Sequence, residues 1–202
     1  MPPNTLSGKR CSHLLYLHGF RSSPRSAKAL RMQAWVRENR PELHFACPQL
    51  PASPRAACAL LQDLTRNWPE EGSAVMGSSL GGFYATVLIQ SRPTWRAVLI
   101  NPAVDPARDL AAYVGEQRCW QDPEERIYFQ AAFIEELRLL HPAQLNTPER
   151  CLAVIAKGDE LLDWREMQAR YAAGPVKLLE GSDHGLSDFE QHLPELADFL
   201  KL

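Results

Sequence analysis

A chain of 202 residues, 45% hydrophobic and 23% charged, carries enough apolar mass for one sizeable core and too ordinary a balance for disorder. Its longest apolar runs are too short to span a bilayer. A formal net charge of -2, with 22 basic residues dispersed among 24 acidic ones, offers no electrostatic footprint for nucleic acid. The expectation is one domain over residues 1–202, with no nucleic-acid partner.

The chain opens on a polar, proline-containing stretch, Met1 to Cys11, in which no secretory signal is visible. The five cysteines, Cys11, Cys47, Cys58, Cys119 and Cys151, are odd in number and contain no Cys-x-x-Cys pair, so they read as reduced thiols of a cytoplasmic protein. The first strand-like run is His13-Leu14-Leu15-Tyr16-Leu17, and it leads into His18-Gly19-Phe20, where glycine lets the backbone turn an amide towards a ligand. Next comes Arg21-Ser22-Ser23-Pro24-Arg25-Ser26, opening a helix expected over 26–38. Two arginines at a helix N-terminus form a candidate site for a carboxylate or phosphate, against the plainer reading of a solvated, capping turn. A strand at Leu43-His44-Phe45-Ala46 and a helix at 54–67 follow.

The run Ser73-Ala74-Val75-Met76 precedes Gly77-Ser78-Ser79-Leu80-Gly81-Gly82, which in turn precedes a helix expected over 82–91. A serine held on a sharp strand-to-helix turn needs glycine two residues before and two after, because side chains there collide with neighbouring backbone. Ser79 has both glycines; Ser78 would need one at position 76, where methionine stands. Ala97-Val98-Leu99-Ile100 is the next strand. From Asp105 to Arg150 the pattern contains no strand, only helix-like pieces at about 106–114 and about 123–140. This reads as a helical insertion, about 105–150, over the carboxyl edge of a sheet. Tyr128, Phe129, Ala132, Phe133, Leu137 and Leu140 recur there at helical spacing, which serves either core packing or a lid.

Leu152-Ala153-Val154-Ile155 leads into Lys157-Gly158-Asp159-Glu160-Leu161-Leu162-Asp163, followed by a helix over 164–173. Val176-Lys177-Leu178-Leu179 leads into Glu180-Gly181-Ser182-Asp183-His184-Gly185, followed by a terminal helix over 188–201. Continuous apolar runs alternating with amphipathic segments describe strands buried on both faces. The fold class is therefore α/β, a mostly parallel sheet of about six strands with helices on both faces, and its ligands bind beyond the carboxyl ends of the strands.

A serine hydroxyl is a weak nucleophile unless a base, an orienting acid and oxyanion donors accompany it. The order Ser, Asp, His, with the acid after a late strand and the histidine after the last, is that of the α/β-hydrolase fold. Of six histidines, His184 alone lies in a loop between the final strand and the terminal helix. Asp159 directly follows its strand and is the first candidate for the acid. Asp163 competes, though it could instead cap the helix beginning near Trp164, and Asp183 ranks third. Backbone amides of Leu80 and Phe20 are the candidate oxyanion donors. His18 reads as a loop-shaping residue. No cluster has metal-ligand spacing and no dinucleotide or phosphate-loop motif occurs, so neither metal nor cofactor is expected.

Leu15-Tyr16-Leu17-His18-Gly19-Phe20 with Ser22-Ser23-Pro24, Gly77-Ser78-Ser79-Leu80-Gly81-Gly82-Phe83-Tyr84-Ala85-Thr86, Asn101-Pro102-Ala103-Val104, Gly158-Asp159-Glu160 and Asp183-His184-Gly185 together resemble the YqiA-type esterases, small bacterial α/β-hydrolases. The likeness runs from about residue 11 to the end, with Gly185 where the family usually has alanine or another small residue. It implies a serine hydrolase of acyl esters or thioesters with Ser79 as nucleophile, Asp159 as acid and His184 as base. Two alternatives stay open: a hydrolase-fold binding module without turnover, and a hydrolase of peptide or carbon-carbon bonds.

Overall fold

The computed structural model describes residues 9–122 and 124–202. The polar N-terminal stretch read for a leader therefore lies, up to residue 8, outside the described residues. Six strands, β1 (His13–Leu17), β2 (His44–Ala46), β3 (Ser73–Ser78), β4 (Arg96–Ile100), β7 (Cys151–Ala156) and β8 (Val176–Leu179), form one parallel sheet in the order β2-β1-β3-β4-β7-β8. Every pairing in it is parallel, from His13 opposite His44 at one edge to Ala153 opposite Val176 at the other. Every residue of β3 and β7 is buried, as the unbroken apolar runs require of central strands covered on both faces.

Helices α1 (Ala27–Asn39) and α7 (Phe189–Leu200) cover one face, and α2 (Pro54–Leu64), α3 (Leu80–Ile89) and α6 (Trp164–Tyr171) the other. The two cores divide along β1: Leu14 and Tyr16 pack with Met32 and Val36 of α1, while Leu15 and Leu17 pack with Phe83 of α3. In α7 the buried residues Phe189, Leu193, Leu196 and Leu200 fall on one stripe, the i, i+4, i+7, i+11 spacing that puts side chains on one helical face. Helix α2 starts where Ser53 accepts the Ala56 amide at 3.2 Å ahead of Pro54, an ordinary helix start. Helix α3 starts at Leu80, two residues before the expected boundary, because the glycines that weaken helix propensity there are demanded by packing.

The insertion departs from its expected form. Instead of two helices it contains a short helix α4 (Pro106–Asp109), an antiparallel hairpin of β5 (Gly115–Arg118) with β6 (Arg126–Phe129), and α5 (Ala132–Leu140). The strandless reading of 105–150 is thus corrected. Tyr128 and Phe129 belong to a strand, so their spacing to Ala132 and Phe133 is not that of one helix; Tyr128 points to solvent while Phe129 is buried. Phe129 still meets Phe133 at 5.6 Å between ring centres and Phe20 at 5.2 Å, both edge-on, so the aromatic residues do pack together across a strand-to-helix turn.

Candidate active site

Parallel strands aim their carboxyl ends at one edge of the sheet, and the loops after β1, β3, β4, β7 and β8 meet there. Ser79 joins β3 to α3 at φ 56° and ψ -120°, a conformation that costs a non-glycine residue energy and occurs where surroundings enforce it. Its amide donates to the Ile100 carbonyl at 2.9 Å and its carbonyl accepts from Gly82, Phe83 and Ala103. The glycines around it are steric necessities: a Cβ on Gly77 would lie 2.2 Å from the Gly81 carbonyl oxygen, and one on Gly81 would lie 2.1 Å from that of Leu17. Helix α3 thereby crosses directly over the ends of β1 and β3.

Gly19 in the loop after β1 lies against Ser79, since a Cβ there would meet Ser79 Cβ at 3.3 Å and Oγ at 3.7 Å. Phe20 follows it and is held by edge-on rings of Phe129 and Tyr113 at 5.2 and 5.8 Å. Leu80 is the first residue of α3, so its amide is one of the helix-terminal donors with no partner inside the helix. His18 shapes the loop: its Nδ1 bonds the Gly19 carbonyl at 3.0 Å and its Nε2 accepts the Leu50 amide at 3.2 Å. Burial pushes the His18 pKa below its ordinary value, opposed by the bond to Gly19, which agrees with a neutral ring that accepts at Nε2.

The loop after β7 brings Asp159 to His184. Asp159 Oδ2 lies 2.8 Å from His184 Nδ1, and Oδ1 accepts the amides of Leu161 and Leu162, each at 2.8 Å. Its side chain is wholly shielded from solvent, whereas that of His184 is 18% exposed, the arrangement in which a buried carboxylate orients a reachable imidazole. Asp163 instead caps α6, accepting the Arg165 amide at 2.9 Å. Asp183 accepts the Ser187 amide at 2.9 Å. The other histidines are engaged elsewhere: His13 and His44 pack on Trp68, His141 bonds the Val104 carbonyl and His192 bonds Asp188.

Two positioning residues had no role from sequence. Asn101, fully buried after β4 at φ 41°, donates through Nδ2 to the carbonyls of Asp183 and His184 at 3.0 and 3.1 Å and accepts the Ala156 amide through Oδ1 at 2.8 Å. One side chain thus ties the acid loop to the histidine loop. Glu160 accepts the His184 amide at 3.0 Å. Asn101 stands in a motif, Asn-Pro directly after a strand, but its partners lie far away in sequence and only the adjacency of β4 and β7 brings them together.

The arginines weighed as a candidate carboxylate or phosphate site, Arg21 and Arg25, have another use. Arg21 donates to the Arg118 carbonyl at 2.8 Å and stacks 4.2 Å above the Trp120 ring, whose residue donates its amide to the Arg21 carbonyl. Arg25 lies 3.6 Å from Asp122 and 3.9 Å from Glu125. Both arginines fasten the hairpin over the site. Beneath it an apolar cavity of about 440 Å³, walled by Leu110, Tyr113, Leu161 and Leu162, opens onto Ser79 and His184.

A model of the family described as "Uncharacterised protein family (UPF0227)" matches residues 13–201. Among solved structures the chain is similar to α/β-hydrolase domain-containing protein 10 from mouse, at 16% identity and a TM-score of 0.70 over 96% of this chain and 92% of that one. It is similar to Est1E from Butyrivibrio proteoclasticus with ferulic acid bound, at 13% identity and a TM-score of 0.65 over 100% and 90%. It is also similar to the Pyrococcus furiosus esterase Pf2001, at 17% identity and a TM-score of 0.61 over 95% and 81%. At such identities the likeness is one of fold, and the fold is that of the α/β-hydrolases.

Proposed function

The chain belongs to the protein family UPF0227, the one at which its YqiA-type motifs point, and we propose that it is a serine hydrolase cleaving acyl esters or thioesters through a covalent acyl-enzyme. The observation that carries this reading is the 2.8 Å pairing of His184 with a fully shielded Asp159 at the sheet edge that also holds Ser79 in its strained turn. A surface histidine has no use for a buried, triply hydrogen-bonded carboxylate, and a turn serine has no use for enforced positive φ.

In this scheme Ser79 Oγ attacks the acyl carbonyl carbon while its proton passes to Nε2 of His184. The Nδ1 proton stays on His184 and is donated to the Asp159 carboxylate, which fixes the tautomer and stabilises the imidazolium. Negative charge gathering on the carbonyl oxygen meets the amides of Leu80 and Phe20. Collapse expels the alcohol or thiol, protonated by His184, and leaves Ser79 acylated. Water then attacks, giving its proton to His184, and the second collapse returns that proton to Oγ and frees the acid. The scheme draws on no cofactor or metal, and the substrate is a small molecule lying under the hairpin within a single domain. All five thiols are free, and burial pushes Cys11 and Cys58 up to about 11 and Cys47 and Cys151 up to about 12. Such inert thiols support work in the reducing cytoplasm.

The test is turnover of short-chain and medium-chain oxygen esters and thioesters by Ser79→Ala, His184→Ala and the double variant. Each single change is expected to lower kcat by about 10⁴-fold or more, with little further loss in the double, because the groups act as a unit. Folded Ser79→Ala retaining more than about a tenth of the rate would overturn the reading, since that residual lies far above what an oxyanion hole alone sustains.

A further inference from the structure

A second cavity, of about 270 Å³, meets the apolar one at the nucleophile: Ser79, Phe20, Trp120 and His184 line both. Its own walls differ in kind. Tyr16 of β1 forms its floor, Gln121 of the hairpin part of its roof, and Ser26, Ala27 and Lys28 at the start of α1 one side. Tyr16 is completely buried, yet among the described residues its hydroxyl has no hydrogen-bond partner, and the buried Oε1 of Gln121 is likewise without one. Helix α1 spans 13 residues, and its N-cap Ser26 makes no side-chain bond to the helix's first amides. The Lys28 ammonium donates to the Gly185 carbonyl, which leaves two of its three N–H donors for other acceptors. Burial lowers its pKa to about 8, against the opposing influence of the Asp183 and Asp159 carboxylates.

Buried polar groups without partners cost stability and persist where a ligand satisfies them. Here the unpartnered hydroxyl, the lysine and the uncapped helix start converge on one small volume beside the proposed nucleophile. All three favour an anion: a hydroxyl and an ammonium donate to it, and the positive end of the helix dipole attracts it. We propose that this cavity is an anion subsite that receives a carboxylate carried by the ester or thioester, with Lys28 and Tyr16 as its donors, while the apolar part of the substrate fills the larger cavity. The Lys28 ammonium and the Tyr16 hydroxyl supply donors for the two oxygens of a carboxylate, and rotating the Gln121 amide end for end turns its NH₂ towards the same group. The proposal rests on the hydrolase reading and narrows it to half-esters or half-thioesters of dicarboxylic acids, or to esters of hydroxy acids.

The test is calorimetric binding to Ser79→Ala, alone and combined with Lys28→Met or Tyr16→Phe, of two ester pairs that differ only in a carboxylate: monomethyl adipate with methyl hexanoate, and the hexanoyl ester of glycolate with ethyl hexanoate. Alongside it, kcat/KM of the wild-type protein is compared for monomethyl adipate against methyl hexanoate, and for the hexanoyl ester of glycolate against ethyl hexanoate, which separates a carboxylate on the acyl side from one on the alcohol side. In one of the two pairs the ester with the carboxylate is expected to bind about tenfold or more tightly than its neutral counterpart. Lys28→Met is expected to erase that ratio. Tyr16→Phe is expected to lower it several-fold while leaving the thermal midpoint of the unliganded protein unchanged or raised, because the hydroxyl removed had no partner. Equal binding within both pairs, or a ratio indifferent to Lys28→Met, overturns the subsite; if Lys28→Met does not fold, the ratio in the parent and in Tyr16→Phe decides. Fluorophosphonate labelling of Ser79 keeps the two readings apart. Labelling without a preference for the carboxylate ester in either pair removes the subsite alone, and preference without labelling removes the hydrolase alone.

Discussion

The floor and the roof of the cleft are held by different physics. The floor, where β3 turns into α3, is packed so closely that two glycines have carbonyl oxygens where a Cβ would sit, at 2.2 Å and 2.1 Å. The roof, the β5–β6 hairpin, is fastened by half-exposed contacts: Arg25 with Asp122 and Glu125, Arg126 with Glu116, and Arg21 stacked on a Trp120 that is 64% exposed. Exposed ion pairs of this sort contribute little each and weaken with salt, whereas overpacking in a core is penalised steeply. The turn at Ser79 is thus fixed by sterics, and the hairpin above it by contacts that can be altered one at a time.

That contrast can be broken at several points. Gly81→Ala carries the largest expected effect, a loss of more than about 4 kcal/mol or no folded protein at all, because the Cβ meets backbone that cannot yield. Near wild-type stability in a denaturant titration would refute the steric account of the floor. Asp159→Asn is expected to lower kcat by about 10⁴-fold with the protein still folded, through loss of the productive histidine tautomer. Asp163→Ala should cost about 1 kcal/mol as a lost helix cap and spare turnover. A reversed pattern in the paired kinetics would move the acid to Asp163.

Asn101→Ala removes three hydrogen bonds in a buried place and is expected to cost about 2 to 4 kcal/mol. It should also cut kcat more than KM, because the loops of Asp159 and His184 lose their common tie. At the roof, Trp120→Ala should change stability by less than about 0.5 kcal/mol while raising KM several-fold; a stability loss as large as that of Asn101→Ala would erase the distinction between the two regions.

The smallest effect is one of pH. Burial holds the pKa of His18 below 6.5, and His13 is shifted the same way by burial and then by His44. The unfolded chain therefore binds protons below about 6.5 that the folded chain refuses, so the stability present above that pH is lost as pH falls through it towards the folded value. Denaturation midpoints measured from about pH 7 to about pH 5 should decline, and decline less in His18→Gln. A midpoint that rises on acidification contradicts the neutral His18 that shapes the loop beside Ser79.

Legibility in sequence follows the same division. Central strands show themselves as unbroken apolar runs, and the elbow through glycine spacing, since both are local patterns; the six-stranded parallel sheet and the position of Ser79 were readable for that reason. The hairpin was not, because Tyr128 and Phe129 on a strand and Ala132 and Phe133 on a helix mimic one helical stripe. The available signal was the Asp122-Pro123 turn pair between Gly115–Arg118 and Arg126–Phe129. Asn101 was hidden because its meaning lies in partners on other loops. Arg21 and Arg25 offered a candidate anion site from their place in a turn, beside the plainer reading of a capping turn, yet they contact the hairpin while Lys28 lines the cavity, a fact that spacing alone does not carry.

The central claim is that Ser79 is a nucleophile activated by the His184–Asp159 pair. Peptide mapping by mass spectrometry after treatment with a fluorophosphonate tests it most directly. The account predicts a single phosphonyl adduct on the peptide containing Ser79, formed quickly in the wild-type protein, slowed by about 10³-fold or more in His184→Ala and absent in Ser79→Ala. An unlabelled folded protein, or an adduct on another residue, contradicts it.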